Sequence, residues 1–381
     1  MPPAARSQID QLDGVRALAV LAVMAFHVTL VREGYWGVDV FFVLSGMLIT
    51  GILVGELDRT GTVALGRFFE RRMLRLYPAL VAMLVVLSPF GVHLAQFGTW
   101  PEWWESVAVA LTYTGNLAIL NEGVQYLGAL TPVWSLAVEM QFYLVWPPVL
   151  VWLLRRGVDR RALTAGTALA ALACLSLFWL LETDPQRGLG VAQTYFRPDA
   201  RFGELLCGCA LALLLSLHRG DRLRPALDRA LSVLAVAGLA GFVLAAELYD
   251  RWGSMVPVPV VVLATALVLA RLVTSDRALL SRLLRLPPLP QIGRISYAMY
   301  LWQVPILWLV EWRTDSQAIR DVVFWGGTLA VAWLSMRFVE RPFLRRKDRL
   351  RTADVAEGIG GRGVSRARAA ASATPAGGRS G

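Results

Sequence analysis

Long apolar runs recur along almost the whole chain. They lie near residues 15–31, 36–55, 77–95, 103–120, 133–154, 162–182, 198–217, 227–248, 255–273, 294–312 and 320–338. A helix needs about 20 predominantly apolar residues to cross the hydrocarbon core of a bilayer, and inside lipid each helix satisfies its own backbone hydrogen bonds. The pattern therefore predicts an all-α, polytopic membrane protein. Composition agrees: 56% of the 381 residues are hydrophobic and 17% are charged, against roughly 45–50% and 25% in soluble domains.

The basic residues decide which runs cross. Clusters occur at Arg67, Arg71, Arg72 and Arg75, at Arg155, Arg156, Arg160 and Arg161, at Arg219, Arg222 and Arg224, at Arg277, Arg282, Arg285 and Arg294, and at Arg341, Arg345, Arg346 and Lys347. Short cytoplasmic loops collect Arg and Lys, so the clusters belong on one side and an even number of crossings must separate them. Only the interval from Arg75 to Arg155 breaks parity. Its weakest run is 103–120, which follows Pro101 and carries Glu105, Thr112, Thr114 and Asn116; it is expected to be re-entrant or interfacial. About ten transmembrane helices remain, with both termini cytoplasmic. The run at 15–31 leads straight into a second run and reads as an uncleaved first span, not a signal peptide.

Net charge is +10. In a chain of this kind the excess reads as arginine held at the cytoplasmic face, not as a nucleic-acid surface. The membrane domain is expected to cover 1–344, followed by a disordered basic tail over 345–381 rich in Arg, Ala, Gly and Ser. The three cysteines, Cys174, Cys207 and Cys209, sit within apolar runs and suggest neither a disulfide framework nor a metal site.

Ionisable groups within spans mark function by default. Arg16 and His27 are eleven residues apart, which puts them on one helical face about 16 Å apart along the axis. Arg16 also suits a snorkelling anchor, and His27 either a packed histidine or a general base. Asp39 stands near the start of the second run, as a helix-end carboxylate or a binding group. Ser45 and Gly46 suit close helix packing. Arg72 and Arg75 face one way on a helical turn and suit either topology or phosphate. Ser135, Glu139 and Tyr143 line one stripe, with the carboxylate one turn inside a span. Ser296, Tyr300 and Gln303 share a face, either as belt residues or as a site. Glu340 is an arginine's partner or a site residue.

Six segments together resemble the bacterial membrane acyltransferase 3 family: Asp13-Gly14-Val15-Arg16 through His27; Gly37-Val38-Asp39-Val40-Phe41-Phe42-Val43-Leu44-Ser45-Gly46; Arg71-Arg72-Met73-Leu74-Arg75 with Pro78; Trp134-Ser135-Leu136 with Glu139; Ser296-Tyr297 with Tyr300-Leu301; and Glu340-Arg341-Pro342. The resemblance implies a multi-pass bacterial cell-membrane enzyme. It implies transfer of an acyl group, most simply acetyl, from cytoplasmic acyl-CoA to a hydroxyl of a carbohydrate, envelope glycan or glycosylated metabolite, without a metal. His27, Arg16 and Glu139 would be catalytic, and Arg71, Arg72 and Arg75 would hold CoA phosphates. Asp39, Trp134, Ser135, Tyr143, Tyr297, Tyr300, Gln303 and Glu340 would surround the substrate. Gln303 departs from relatives that carry histidine there, and a glutamine cannot shuttle a proton. The chain is expected to lack the extracytoplasmic esterase-like domain that some relatives append. A transporter or flippase, or a sensor without catalysis, is the alternative class.

Overall fold

The computed structural model describes residues 3–183, 194–217, 225–252, 258–274 and 279–346, with side chains from residue 10 onward outside 225–228 and 247–252. Every regular element among them is helical: α1 Pro3–His27, α2 Trp36–Thr60, α3 Leu65–Leu87, α4 Trp100–Leu111, α5 Gly115–Glu122, α6 Val133–Arg155, α7 Arg160–Thr183, α8 Pro198–Ser216, α9 Pro225–Trp252, α10 Val258–Thr274, α11 Leu279–Leu284, α12 Leu289–Arg313 and α13 Gln317–Arg346. Short 3₁₀ turns join several of them.

Among the described residues, six segments are long and apolar enough to cross a membrane: Arg32–Thr60, Leu65–Leu94, Val133–Arg155, Arg160–Leu181, Arg229–Ala246 and Gln317–Arg346. Helices α1, α8 and α12 are also 25, 19 and 25 residues long. Each carries ionisable residues within its length, such as Asp13 and Arg16, Arg201 and Glu204, and Arg294 and Glu311.

The run 103–120 does not form one helix. It breaks between α4 and α5 at Tyr113, whose φ is +54°. The two pieces have 12 and 8 residues, and each is too short for a crossing. Thr99 caps α4 by accepting from the Glu102 amide, 3.5 Å away. Helix α13 contains two π-helical turns, Val323–Gly327 and Ser335–Glu340, and continues through Arg345 and Arg346. The remainder of the expected basic tail lies outside the described residues.

Helix α8 packs against α2 and α7, α1 against α12 and α2, and α9 against α10. Glycine sets the α2–α8 distance. A Cβ added at Gly46 would stand 1.9 Å from the Leu205 carbonyl oxygen, and one at Gly208 would stand 2.0 Å from that of Val43. The backbones approach this closely because neither position carries a side chain, which is how helices associate where the solvent is itself apolar.

Candidate active site

Helices α1, α2, α3, α6 and α12 converge on a cavity of about 80 Å³. Its polar lining is Arg16 from α1, Ser45 from α2, Arg72 and Arg75 from α3, and Ser135 and Glu139 from α6, with Ser296, Tyr297 and Tyr300 from α12. Three guanidinium groups thus face one carboxylate. Arg16 Nη1 donates to Asp13 Oδ1 at 2.7 Å, which fixes the guanidinium at its end of α1. Glu139 accepts from the Ser45 hydroxyl and from the Tyr143 phenol one turn further along α6. The Arg72 guanidinium stacks on the Tyr143 ring, 4.7 Å from its centroid. One carboxylate therefore ties together α2 and α6, while the aromatic ring it engages supports an arginine of α3. The three arginines leave the cavity with an excess of positive charge and planar donor forks, which suits a polyanionic ligand such as a phosphate-bearing donor.

His27 lies elsewhere. It lines a second cavity of about 440 Å³ with Gln96, Gln125, Thr131, Val304 and Trp308. The His27 Nδ1 is 2.8 Å from the Val23 carbonyl oxygen. A carbonyl can only accept, so Nδ1 carries the hydrogen and the neutral ring keeps its lone pair on Nε2. Gln96 Nε2 donates to Gln125 Oε1 at 2.9 Å, and the Thr131 hydroxyl to the Gly128 carbonyl at 2.6 Å. Side-chain amides, a hydroxyl and an indole are groups that can engage a sugar through its hydroxyls and its apolar face.

The two cavities end close to one another. Tyr300 lines the first and Val304 the second, four residues apart on α12 or about 6 Å along its axis. Ser135 and Thr131 stand in the same relation at the start of α6. The partition between them is braced by a bond between the Ser135 and Tyr300 hydroxyls, 2.7 Å apart. Gln303, fully buried, lies between Tyr300 and Val304 on α12.

The arrangement gathers Arg16, Arg72, Arg75, Ser135, Glu139, Tyr297 and Tyr300 around one cavity, with Tyr143 directly behind it. Five others lie outside that lining. Asp39 and Trp134 do not line either cavity: both pack around Arg201, a fully buried residue of α8. Arg71 pairs instead with Glu56 at 3.3 Å, because a residue next to Arg72 on a helix points about 100° away from it. Gln303 turns its amide back to the Tyr300 carbonyl at 3.4 Å. Glu340 is buried in the second π-turn of α13 and accepts from Ser335 at 3.2 Å. Arg16 and His27 do sit on one helix, as their spacing implied, but at different cavities. Sequence reasoning missed Gln96, Gln125, Thr131 and Trp308, which are ordinary residues near helix ends. It also missed Arg201 and Glu204, although two charges three residues apart in an apolar run were a legible signal.

Residues 9–337 match the family model described as an acyltransferase domain. The chain belongs to this acyltransferase family. It is 31% identical over 362 residues to the peptidoglycan O-acetyltransferase OatA of Listeria monocytogenes, covering 88% of this chain and 56% of that protein. It is 30% identical over 358 residues to the O-acetyltransferase OatA of Staphylococcus aureus, covering 88% and 57% respectively. The chain therefore spans little more than half the length of the relatives it matches. No solved structure matches it. Among the described residues, no group of three or more His, Cys, Asp or Glu side chains is placed to hold a metal ion.

Proposed function

We propose that this family member is a membrane O-acyltransferase, an O-acetyltransferase of an envelope glycan, that uses its two cavities for the two substrates. The observation that carries the reading is their juxtaposition: a cavity with three arginines and a cavity with a histidine and hydrogen-bonding side chains, about one helical turn apart. The names of the relatives support acetyl as the group moved and a peptidoglycan-like carbohydrate as the acceptor.

In this reading ten helices cross the bacterial cytoplasmic membrane: α1, α2, α3, α6, α7, α8, α9, α10, α12 and α13. Both ends of the membrane domain 1–344 then face the cytoplasm, and the arginine cavity opens toward that side. Arg16, Arg72 and Arg75 hold the phosphate-bearing part of acyl-CoA. The acceptor enters the histidine cavity, where Gln96, Gln125 and Trp308 orient it. His27 Nε2 removes the proton of the acceptor hydroxyl, whose oxygen attacks the thioester carbonyl. The new C–O bond forms as the C–S bond breaks, the proton held on His27 passes to the departing thiolate, and the resulting thiol leaves toward the arginine side. Glu139, held by Ser45 and Tyr143, positions Arg72 through the shared tyrosine. The partition at Ser135, Tyr300 and Gln303 must open for the two substrates to meet.

The test is acetyl transfer by the purified full chain in liposomes supplied with acetyl-CoA and a soluble glycan acceptor. Transfer that depends on both His27 and the arginine pair Arg72 and Arg75 is the expected result. Transfer undiminished in His27→Ala would remove the histidine from the chemistry, and absence of acetyl-CoA binding would remove the donor assignment.

A further inference from the structure

Asp39, Arg201 and Glu204 form an ionic cluster with no exposure at all. Arg201 Nη2 donates to Asp39 Oδ1 at 2.7 Å, and Arg201 Nη1 is 2.7 Å from Glu204 Oε1. An aromatic box closes around the guanidinium: the rings of Tyr195, Phe42, Trp134 and Phe178 have centroids 4.5, 5.2, 5.6 and 5.8 Å from its carbon. The charges do not balance. Two carboxylates against one guanidinium would leave a net negative charge within an apolar helical bundle, where an uncompensated ion is strongly disfavoured.

The unsatisfied oxygens show how the imbalance is resolved. Asp39 Oδ2 and both carboxyl oxygens of Glu204 are buried without a hydrogen-bond partner, Glu204 Oε1 meeting Arg201 as an ion pair only. Both acids engage the same guanidinium, one at Nη2 and the other at Nη1. Ionised carboxylates are acceptors only, so the two acids offer acceptors in excess of the donors that one guanidinium supplies unless one of them carries a hydrogen. The other titratable groups packed nearby are the Tyr195 phenol beneath the guanidinium and the Cys174 and Cys207 thiols of α7 and α8. All three are neutral or anionic, so none supplies a second positive charge.

We infer that the cluster is a proton-binding site, in which the two acids Asp39 and Glu204 together hold one proton and the Asp39–Arg201–Glu204 set is neutral. The site stands immediately behind the arginine cavity, because Phe42 both contacts Arg201 and lines that cavity. It does not depend on the acyl-transfer reading, and it is tested without turnover.

Infrared difference spectroscopy of the purified full chain in detergent reads protonated carboxyl groups directly. The wild type should keep a protonated-carboxyl band, sensitive to deuterium exchange, at neutral pH, where free carboxyl groups are ionised. Glu204→Gln, which replaces the acid by a neutral group of the same shape, should lose that band and unfold within about 2 °C of the wild type, because its Arg201–Asp39 pair is already neutral. Adding sodium in place of potassium should leave the wild-type unfolding midpoint unchanged. A wild type without the band, or a band that persists unchanged in Glu204→Gln, would overturn the proposal. So would a midpoint that rises with sodium in the wild type and not in Glu204→Gln, which would make the occupant a metal cation. Should Glu204→Gln fail to accumulate, the wild-type spectra across pH and the sodium titration decide the matter without it.

Discussion

The Ser135 hydroxyl and the Tyr300 phenol meet at 2.7 Å across the α6–α12 contact. They do so where the arginine cavity ends and the histidine cavity begins. This bond is local in space and distant in sequence, with 165 residues between its partners.

Removing it should affect transfer more than folding. One neutral hydrogen bond contributes about 0.5–1.5 kcal/mol to stability, so Tyr300→Phe and Ser135→Ala should each lower the unfolding midpoint by only a few degrees. Both should change the rate of acetyl transfer by roughly tenfold if the partition has to open and re-form in each cycle. The double variant should be no worse than either single one, since the two changes remove the same bond. Transfer assays on the three variants, with thermal unfolding alongside, check this.

Arg72 and Arg75 should act on donor binding. A hydrogen bond to a charged group is worth about 1.5–3 kcal/mol, so Arg72→Ala or Arg75→Ala should raise the KM for acetyl-CoA by ten- to a hundredfold. Arg72→Lys should restore only part of the loss, because an ammonium can neither bridge two phosphate oxygens as a planar fork nor stack as well on Tyr143. Arg71→Ala should have a much smaller effect, as that side chain is engaged with Glu56 outside the cavity. Initial rates over a range of donor concentration separate the three.

His27→Ala should lower kcat by about 10²–10⁴ with the donor KM little changed, because the histidine lies at the other cavity. The wild-type rate should fall once pH is low enough to protonate the ring, since a protonated imidazole has no lone pair left on Nε2. Trp308→Ala should instead raise the acceptor KM. Separate titrations of donor and acceptor distinguish the two outcomes.

Gly46→Ala should destabilise the protein while Gly51→Ala should not. A Cβ at Gly46 would collide with the Leu205 backbone, whereas one at Gly51 meets nothing within 4 Å. Overpacking of this kind costs about 1–3 kcal/mol, and an added methyl group in a helix that has space for it is neutral or favourable. Thermal unfolding of the two variants in one detergent makes the comparison.

Relations within a single helix were legible in the sequence. Apolar run length yields helices long enough for a bilayer, and parity of the arginine clusters singles out 103–120, which the structure breaks at Tyr113. A spacing of three or four residues puts Arg72 with Arg75 and Glu139 with Tyr143, and six ordered motifs indicate the family. Such relations follow from a helical repeat that every residue obeys. Relations between helices were not legible. Asp39 reads as a binding group until Arg201, 162 residues away, is packed against it. Arg16 and His27 share a face yet serve different cavities, because α3 closes on one end of α1 and the Gln96–Thr131 region on the other. Which side chains meet across a bundle depends on packing that no local period encodes: glycine contacts that set helix separations, and buried charges that must find partners wherever the chain brings them.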